Sequence, residues 1–154
     1  QIDIATNPAG VIDGIYSRRD LEAFLADASA NTAPESVTAA LTTAIRSRCR
    51  QPMHLETSGV DQLSGAPDWI TLSPKRHRPP TPEMVQACHE LKVVVHEPAD
   101  LLFAEVVAAQ APQANWLLQP GWDCEEGLQL AIGKVRQDQR WRLSMQSHKW
   151  LGVR

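Results

Sequence analysis

Four short apolar runs in this chain each end in polar residues able to grip a small molecule. Leu55 leads into Glu56-Thr57-Ser58-Gly59. Trp69-Ile70-Thr71-Leu72 leads into Ser73-Pro74-Lys75. Trp116-Leu117-Leu118 leads into Gln119-Pro120-Gly121, and Trp141 to Met145 leads into Gln146-Ser147-His148-Lys149. Thr57, Ser58 and Ser73 carry hydroxyls, and Gly59 lets a backbone approach closely. Lys75 supplies a cation suited to a carboxylate. Gln119 has a two-sided amide, and Gln146 with His148 can read a heterocycle edge as donor and acceptor at once. Such a set suits a ligand with many polar edges. Taken singly, the same residues have ordinary uses: Glu56 as a cap, Lys75 as a solvated cation, His148 as a surface imidazole. Their shared position after apolar runs carries the argument.

These side chains act together only if the runs are parallel strands, whose C-terminal ends share one rim where ligands bind. The pattern is compatible with that. Ser36 is placed to cap a helix carrying Val37, Leu41, Ala44 and Ile45, fading near Arg50-Gln51-Pro52. Strands are predicted near 53–57 and 68–72. Pro74, Pro79, Pro80 and Pro82 exclude regular structure over most of 73–82, a basic loop with Lys75, Arg76, His77 and Arg78. A short helix follows over 82–89, with Pro82 in its first turn. Leu91–Val95 reads as a strand, Pro98 opens a helix through Leu101, Leu102, Val106 and Val107, and 115–119 is a strand. A helix over 124–138 and a strand over 141–146 complete the order α-β-β-α-β-α-β-α-β. This predicts an α/β fold: a partial (β/α) barrel or an open, mostly parallel sheet, short of an eight-stranded barrel on its N-terminal side.

Residues 1–35 read differently. Asn7-Pro8-Ala9-Gly10 and Asn31-Thr32-Ala33-Pro34 are turn chemistry, and one short helix is expected from Ser17 through Leu21, Phe24 and Leu25. Two regions are therefore expected, a loose segment over 1–35 and the α/β part over 36–154. The chain starts at Gln1, so a further upstream segment is a live expectation.

With 43% hydrophobic and 21% charged residues, the composition is that of a globular protein. A net charge of −3 and a pI near 5.9 argue against bulk binding to nucleic acid. No apolar run has the roughly 18 residues of a membrane span, and a cytoplasmic protein is expected. Cys49, Cys88 and Cys124 are too far apart in sequence for a C-x-x-C ligand pair. There is no H-E-x-x-H, Walker A loop or G-x-G-x-x-G. No Ser-His-Asp nucleophile arrangement can be read from spacing.

In this order, the blocks Leu55-Glu56-Thr57-Ser58-Gly59, Asp68 to Lys75, Glu90 to Val95, Leu118-Gln119-Pro120 and Trp141 to Arg154 resemble the 7-carboxy-7-deazaguanine synthases. The resemblance covers about residues 36–154, the C-terminal portion of such an enzyme. The S-P-K block and the Q-x-H-K-x-x-G ending are its most specific parts. It implies membership of the radical S-adenosylmethionine enzymes, which here convert 6-carboxy-tetrahydropterin to 7-carboxy-7-deazaguanine on the route to queuosine. It also implies a 4Fe–4S cluster, S-adenosylmethionine and Mg²⁺ on a shortened (β/α) barrel, often as a homodimer. By that resemblance Thr57, Ser58, Ser73, Lys75 and Gln119 hold S-adenosylmethionine. Gln146, His148 and the tail ending at Arg154 lie near the pterin, and the terminal carboxylate is a further acceptor. Glu90 and Lys92 are expected to support the site.

The chain departs from the family's pattern on its N-terminal side. It has no C-x-x-x-C-x-x-C motif and no threonine after one to serve Mg²⁺. Thr32-Ala33-Pro34-Glu35 stands where G-G-E-P is usual, and Ser147 replaces a threonine. No catalytic or metal-binding residue is therefore assigned. The expectation is a chain inactive as written, or else a cluster-free module that binds S-adenosylmethionine or the pterin without catalysis.

Overall fold

A computed structural model describes residues 34–48, 50–63 and 65–152. The helix expected after Ser17, and with it the character of residues 1–33, lies outside them, as do Cys49 and Arg154.

Helix α1 (Pro34–Arg48) opens the described chain. It already includes Pro34 and Glu35, so the expectation that Ser36 caps it is overturned: Ser36 lies inside the helix, and a proline suits a first helical turn, where no N–H is needed. Strands β1 (His54–Thr57) and β2 (Trp69–Leu72) follow, joined by a crossover without a helix. Helix α2 (Pro82–Ala87) is capped by Thr81, whose hydroxyl accepts from Met84 N–H at 3.3 Å. Next come β3 (Glu90–Val95), α3 (Pro98–Gln110), β4 (Asn115–Pro120), α4 (Glu125–Gln137), β5 (Trp141–Leu143) and a single-turn α5 (Ser147–Trp150). Helix α4 has Glu125 and Glu126 in its first turn and Lys134 and Arg136 in its last, complementing its dipole.

The five strands form one all-parallel sheet in the order β1-β2-β3-β4-β5. A sequential order with right-handed crossovers puts the helices on one face. Burial agrees. Leu91, Val93 and Val95 of β3, in register with Leu72, Leu118 and Pro120, face Met84, Val85, Ala104, Val107, Ala108 and Ala131 of the helices. The alternate residues, Glu56, Thr71, Glu90, Lys92, Gln119 and Arg142, line the other face. Among the described residues the strand order does not reverse, so no switch-point crevice forms there; the C-terminal edge is where parallel sheets generally receive ligands.

Strand β5 is shorter than the expected 141–146. Its last tie to β4 is Ser144 N–H to Leu118 O, at 2.9 Å. The next rung would need an N–H from Pro120, which has none. The chain therefore leaves the sheet, and Met145-Gln146 cross toward the rim. No helix among the described residues is long and apolar enough to cross a membrane.

Candidate functional site

Parallel pairing sets the strand ends side by side. Thr57 ends β1, and its carbonyl accepts from Ser73 N–H, just past β2, at 2.7 Å. Gln119 sits at the end of β4, and Gln146 caps α5 just beyond β5. Thr57, Ser73, Gln119 and Gln146 thus stand at one edge of the sheet, and the expected Arg154 lies outside the described residues.

Their side chains divide into engaged and unengaged groups. Thr57 is engaged: its hydroxyl accepts from Gly59 N–H at 3.1 Å, and its register with Leu72 turns it to the helix side. Gly59 itself has φ +72, and a Cβ there would lie 2.4 Å from a Leu72 methyl, so the turn needs glycine. By contrast, Ser58, Ser73, Lys75, Gln119, Gln146 and His148 make no side-chain hydrogen bond or ion pair among the described residues. Ser73 and Gln119 are nevertheless buried. No buried side-chain nitrogen or oxygen among the described residues lacks a partner, so the unbonded hydroxyl and amide atoms keep an opening to solvent and can be reached from this edge. Lys75 is exposed, at the head of a tight turn closed by Arg78 N–H to Lys75 O at 3.1 Å. The neighbouring Arg76 is tied down by ion pairs to Glu97 and Asp100 of the α3 N-terminus. Of the two adjacent cations, Lys75 is the one left for a ligand.

Beside Gln119 lies a cleft of about 180 Å³, walled by Pro120 to Glu125, Leu128, Met145 and Gln146. Trp122 and Met145 are its exposed apolar members. Close packing seats α4 next to it: a Cβ on Gly127 would come 2.1 Å from Val95 O, so α4 can sit against the end of β3 only with glycine there.

Glu90 and Lys92 were expected to support the site, but their partners were not foreseen, and Trp122 was given no role. Glu56 and Lys92 form an ion pair at 2.7 Å across β2 on the polar face. Thr71 lies between them, bonded to His54 Nε2 at 2.6 Å and donating to Glu90 at 3.1 Å. The alternation of Glu90-Leu91-Lys92-Val93 was a usable signal for it. The wall formed by Trp122 had only the weaker signal of a tryptophan after a turn glycine.

A cluster does not fit the cysteines described. Cys88 closes α2 just before β3 starts, whereas Cys124 caps α4 after β4 ends. The two thus lie at opposite ends of six-residue strands, roughly 20 Å apart at about 3.3 Å per residue. Burial pushes the Cys88 thiol up to about 11, which opposes the thiolate a metal needs. No group of three His, Cys, Asp or Glu among the described residues is arranged to hold a metal ion.

A singly wound parallel sheet with helices on one face defines an α/β protein. No protein-family profile matches the chain, but individual relatives do. It is 47% identical over 128 residues to the 7-carboxy-7-deazaguanine synthase of Prochlorococcus marinus, which covers 72% of this chain and 57% of that protein. It is 40% identical over 103 residues to the protein of that name from Synechocystis, covering 66% and 50%. The crystal structure of QueE from Escherichia coli matches with a TM-score of 0.62 over 85% of this chain and 64% of that one; at 24% identity the likeness is one of fold. The C-terminal part of this chain belongs to the 7-carboxy-7-deazaguanine synthase family. The chain spans about half the length of the curated relatives it matches.

Proposed function

We propose that this chain is the ligand-holding C-terminal part of a 7-carboxy-7-deazaguanine synthase, a partial (β/α) barrel that binds S-adenosylmethionine and 6-carboxy-tetrahydropterin along its rim. The observation that carries the reading is the row of unengaged side chains at the strand ends of a chain with these relatives. Lys75 and the hydroxyls of Ser58 and Ser73 pair with the carboxylate and amino group of S-adenosylmethionine, and the Gln119 amide reads its nucleoside. Thr57 shapes the turn that presents Ser58. Gln146, His148 and Arg154 meet the pterin, whose carboxylate and fused ring need donors and acceptors together.

The reaction named for the relatives needs an iron–sulfur cluster to supply an electron to S-adenosylmethionine, with Mg²⁺ in support. The donor set of the described residues does not fit a cluster, so no step is routed through one here. On this reading the chain as written binds but does not turn over. That same donor set favours a second reading, a cluster-free module that retains the ligand rim in the absence of catalysis.

Calorimetry tests the proposal. S-adenosylmethionine titrated into the 154-residue chain should give saturable heat, with Gln119→Leu and Lys75→Ala each weakening it about tenfold or more, the scale of a lost hydrogen bond to a charged or buried group. Absence of heat at millimolar ligand would remove both readings. Separately, iron–sulfur reconstitution of a protein extended upstream of Gln1 distinguishes them: only the synthase reading expects a cluster there.

A further inference from the structure

After Ser144 the backbone leaves the sheet. The backbone bonds of the tail then close on themselves: Lys149 N–H to Gln146 O at 3.0 Å, Leu151 N–H to Ser147 O at 3.0 Å and Gly152 N–H to Lys149 O at 3.4 Å. A single helical turn is unstable alone, because nucleation costs more than one turn of hydrogen bonds returns. Ser147, His148, Lys149 and Leu151 are all exposed, so these four side chains offset little of that cost. Something must hold α5 in place, and the structure offers a candidate. The Lys149 ammonium lies 5.2 Å from the ring centroid of Trp122 on the β4–α4 loop. This contact spans the cleft region, with Trp122 on one wall and Met145 and Gln146 on another.

We propose that Lys149 and Trp122 form a latch, positioning the C-terminal turn, and with it Gln146 and His148, at the cleft. Lys149 acts here as a positioning residue. Its charge sits over the indole ring, whose quadrupole attracts a cation. The ring comes from the loop that follows Gln119, so the latch couples the two ends of the candidate site. Closing the latch orders Gln146 before a ligand arrives, which lowers the ordering cost of binding. This last consequence rests on the ligand reading above; the latch itself does not.

The test is a double-mutant cycle on the 154-residue chain with Lys149→Met, Trp122→Leu and the pair, read by the ¹⁵N and imidazole NMR signals of residues 145–152 and by their amide exchange. Each single change should raise tail exchange about two- to fivefold, the worth of an exposed cation–π contact, and the double change should add little more. Lys149→Arg, which keeps a cation over the ring, should restore native signals. Additive effects, or an arginine variant that behaves like methionine, would overturn the latch. In S-adenosylmethionine titrations, Lys149→Met should weaken binding by a similar factor. Coupled exchange without any heat from the unmodified chain would keep the latch and reject the ligand reading. Heat with uncoupled exchange would do the reverse.

Discussion

The Lys92 ammonium meets the Glu56 carboxylate at 2.7 Å across the intervening strand β2, with the two side chains 14% and 33% exposed. The pair ties β1, at the sheet edge, to central β3. Removing one member of a partly buried pair strands the other charge. Lys92→Met is therefore expected to cost about 1–3 kcal/mol. Lys92→Met with Glu56→Met should recover most of it. Urea unfolding of the unmodified chain, Lys92→Met, Glu56→Met and the double variant checks this. Equal losses in the single and double variants would show that the pair contributes through packing alone.

Gly127 is a second expected weak point. A methyl there meets a backbone oxygen, which has no rotamer to turn aside, so α4 must shift off β3. Gly127→Ala should lower stability by about 1–3 kcal/mol, despite alanine's better helix propensity. The shift should also widen the cleft behind Cys124. A thermal melt no lower than that of the unmodified chain would contradict the close approach.

The two described cysteines should differ in reactivity. Cys88 is buried and its thiol donates to Val85 O at 3.2 Å, whereas Cys124 is partly exposed at the start of α4. Alkylation with peptide mapping should label Cys124 in the native protein and Cys88 only on unfolding. Because burial raises the folded Cys88 value to about 11, the folded state holds its proton where the unfolded chain has lost it. Its contribution is complete below about pH 9 and is lost as pH rises toward 11. Cys88→Ala should flatten that alkaline decline.

The acid limb has a different origin. The Arg140 guanidinium grips Asp138 through both oxygens, at 3.0 and 2.7 Å, and Arg140 N–H adds a bond at 3.1 Å. Hydrogen bonding from that side chain, then from the backbone, holds the Asp138 carboxyl well below the usual carboxylate range. Asp68 is lowered too, first by Met53 N–H and then by Arg46. For a lowered folded value, the contribution is present above about pH 4 and lost as pH falls through the folded value. Asp138→Asn should flatten stability between pH 4 and 2, and salt should shrink the difference because the groups are exposed.

The sequence made the sheet legible because its strands are buried on one face and polar on the other. Leu91, Val93 and Val95 alternate with Glu90 and Lys92, and prolines open α2 and α3. Boundaries were less legible. The end of β5 depends on the missing N–H of Pro120, a residue in another strand, which no local pattern in 141–146 reveals. The start of α1 was misread because Ser36 has cap chemistry, but Pro34 precedes it with the better first-turn geometry. In the site, the rim positions followed from strand ends alone. The engagement of Thr57 by Gly59, the Glu56–Lys92 pair and the Trp122 wall depend on side-chain directions across strands and loops, which spacing along one strand does not give.

Under the proposed function, polar groups at the carboxyl ends of these strands receive a nucleoside-bearing ligand. Titrating S-adenosylmethionine into ¹⁵N-labelled protein tests it most directly. The expected result is saturable shifts at Ser73, Lys75 and the side-chain amides of Gln119 and Gln146. Shifts confined to His89 and Asn115, at the opposite end of the sheet, or a spectrum unchanged at millimolar ligand, would contradict it.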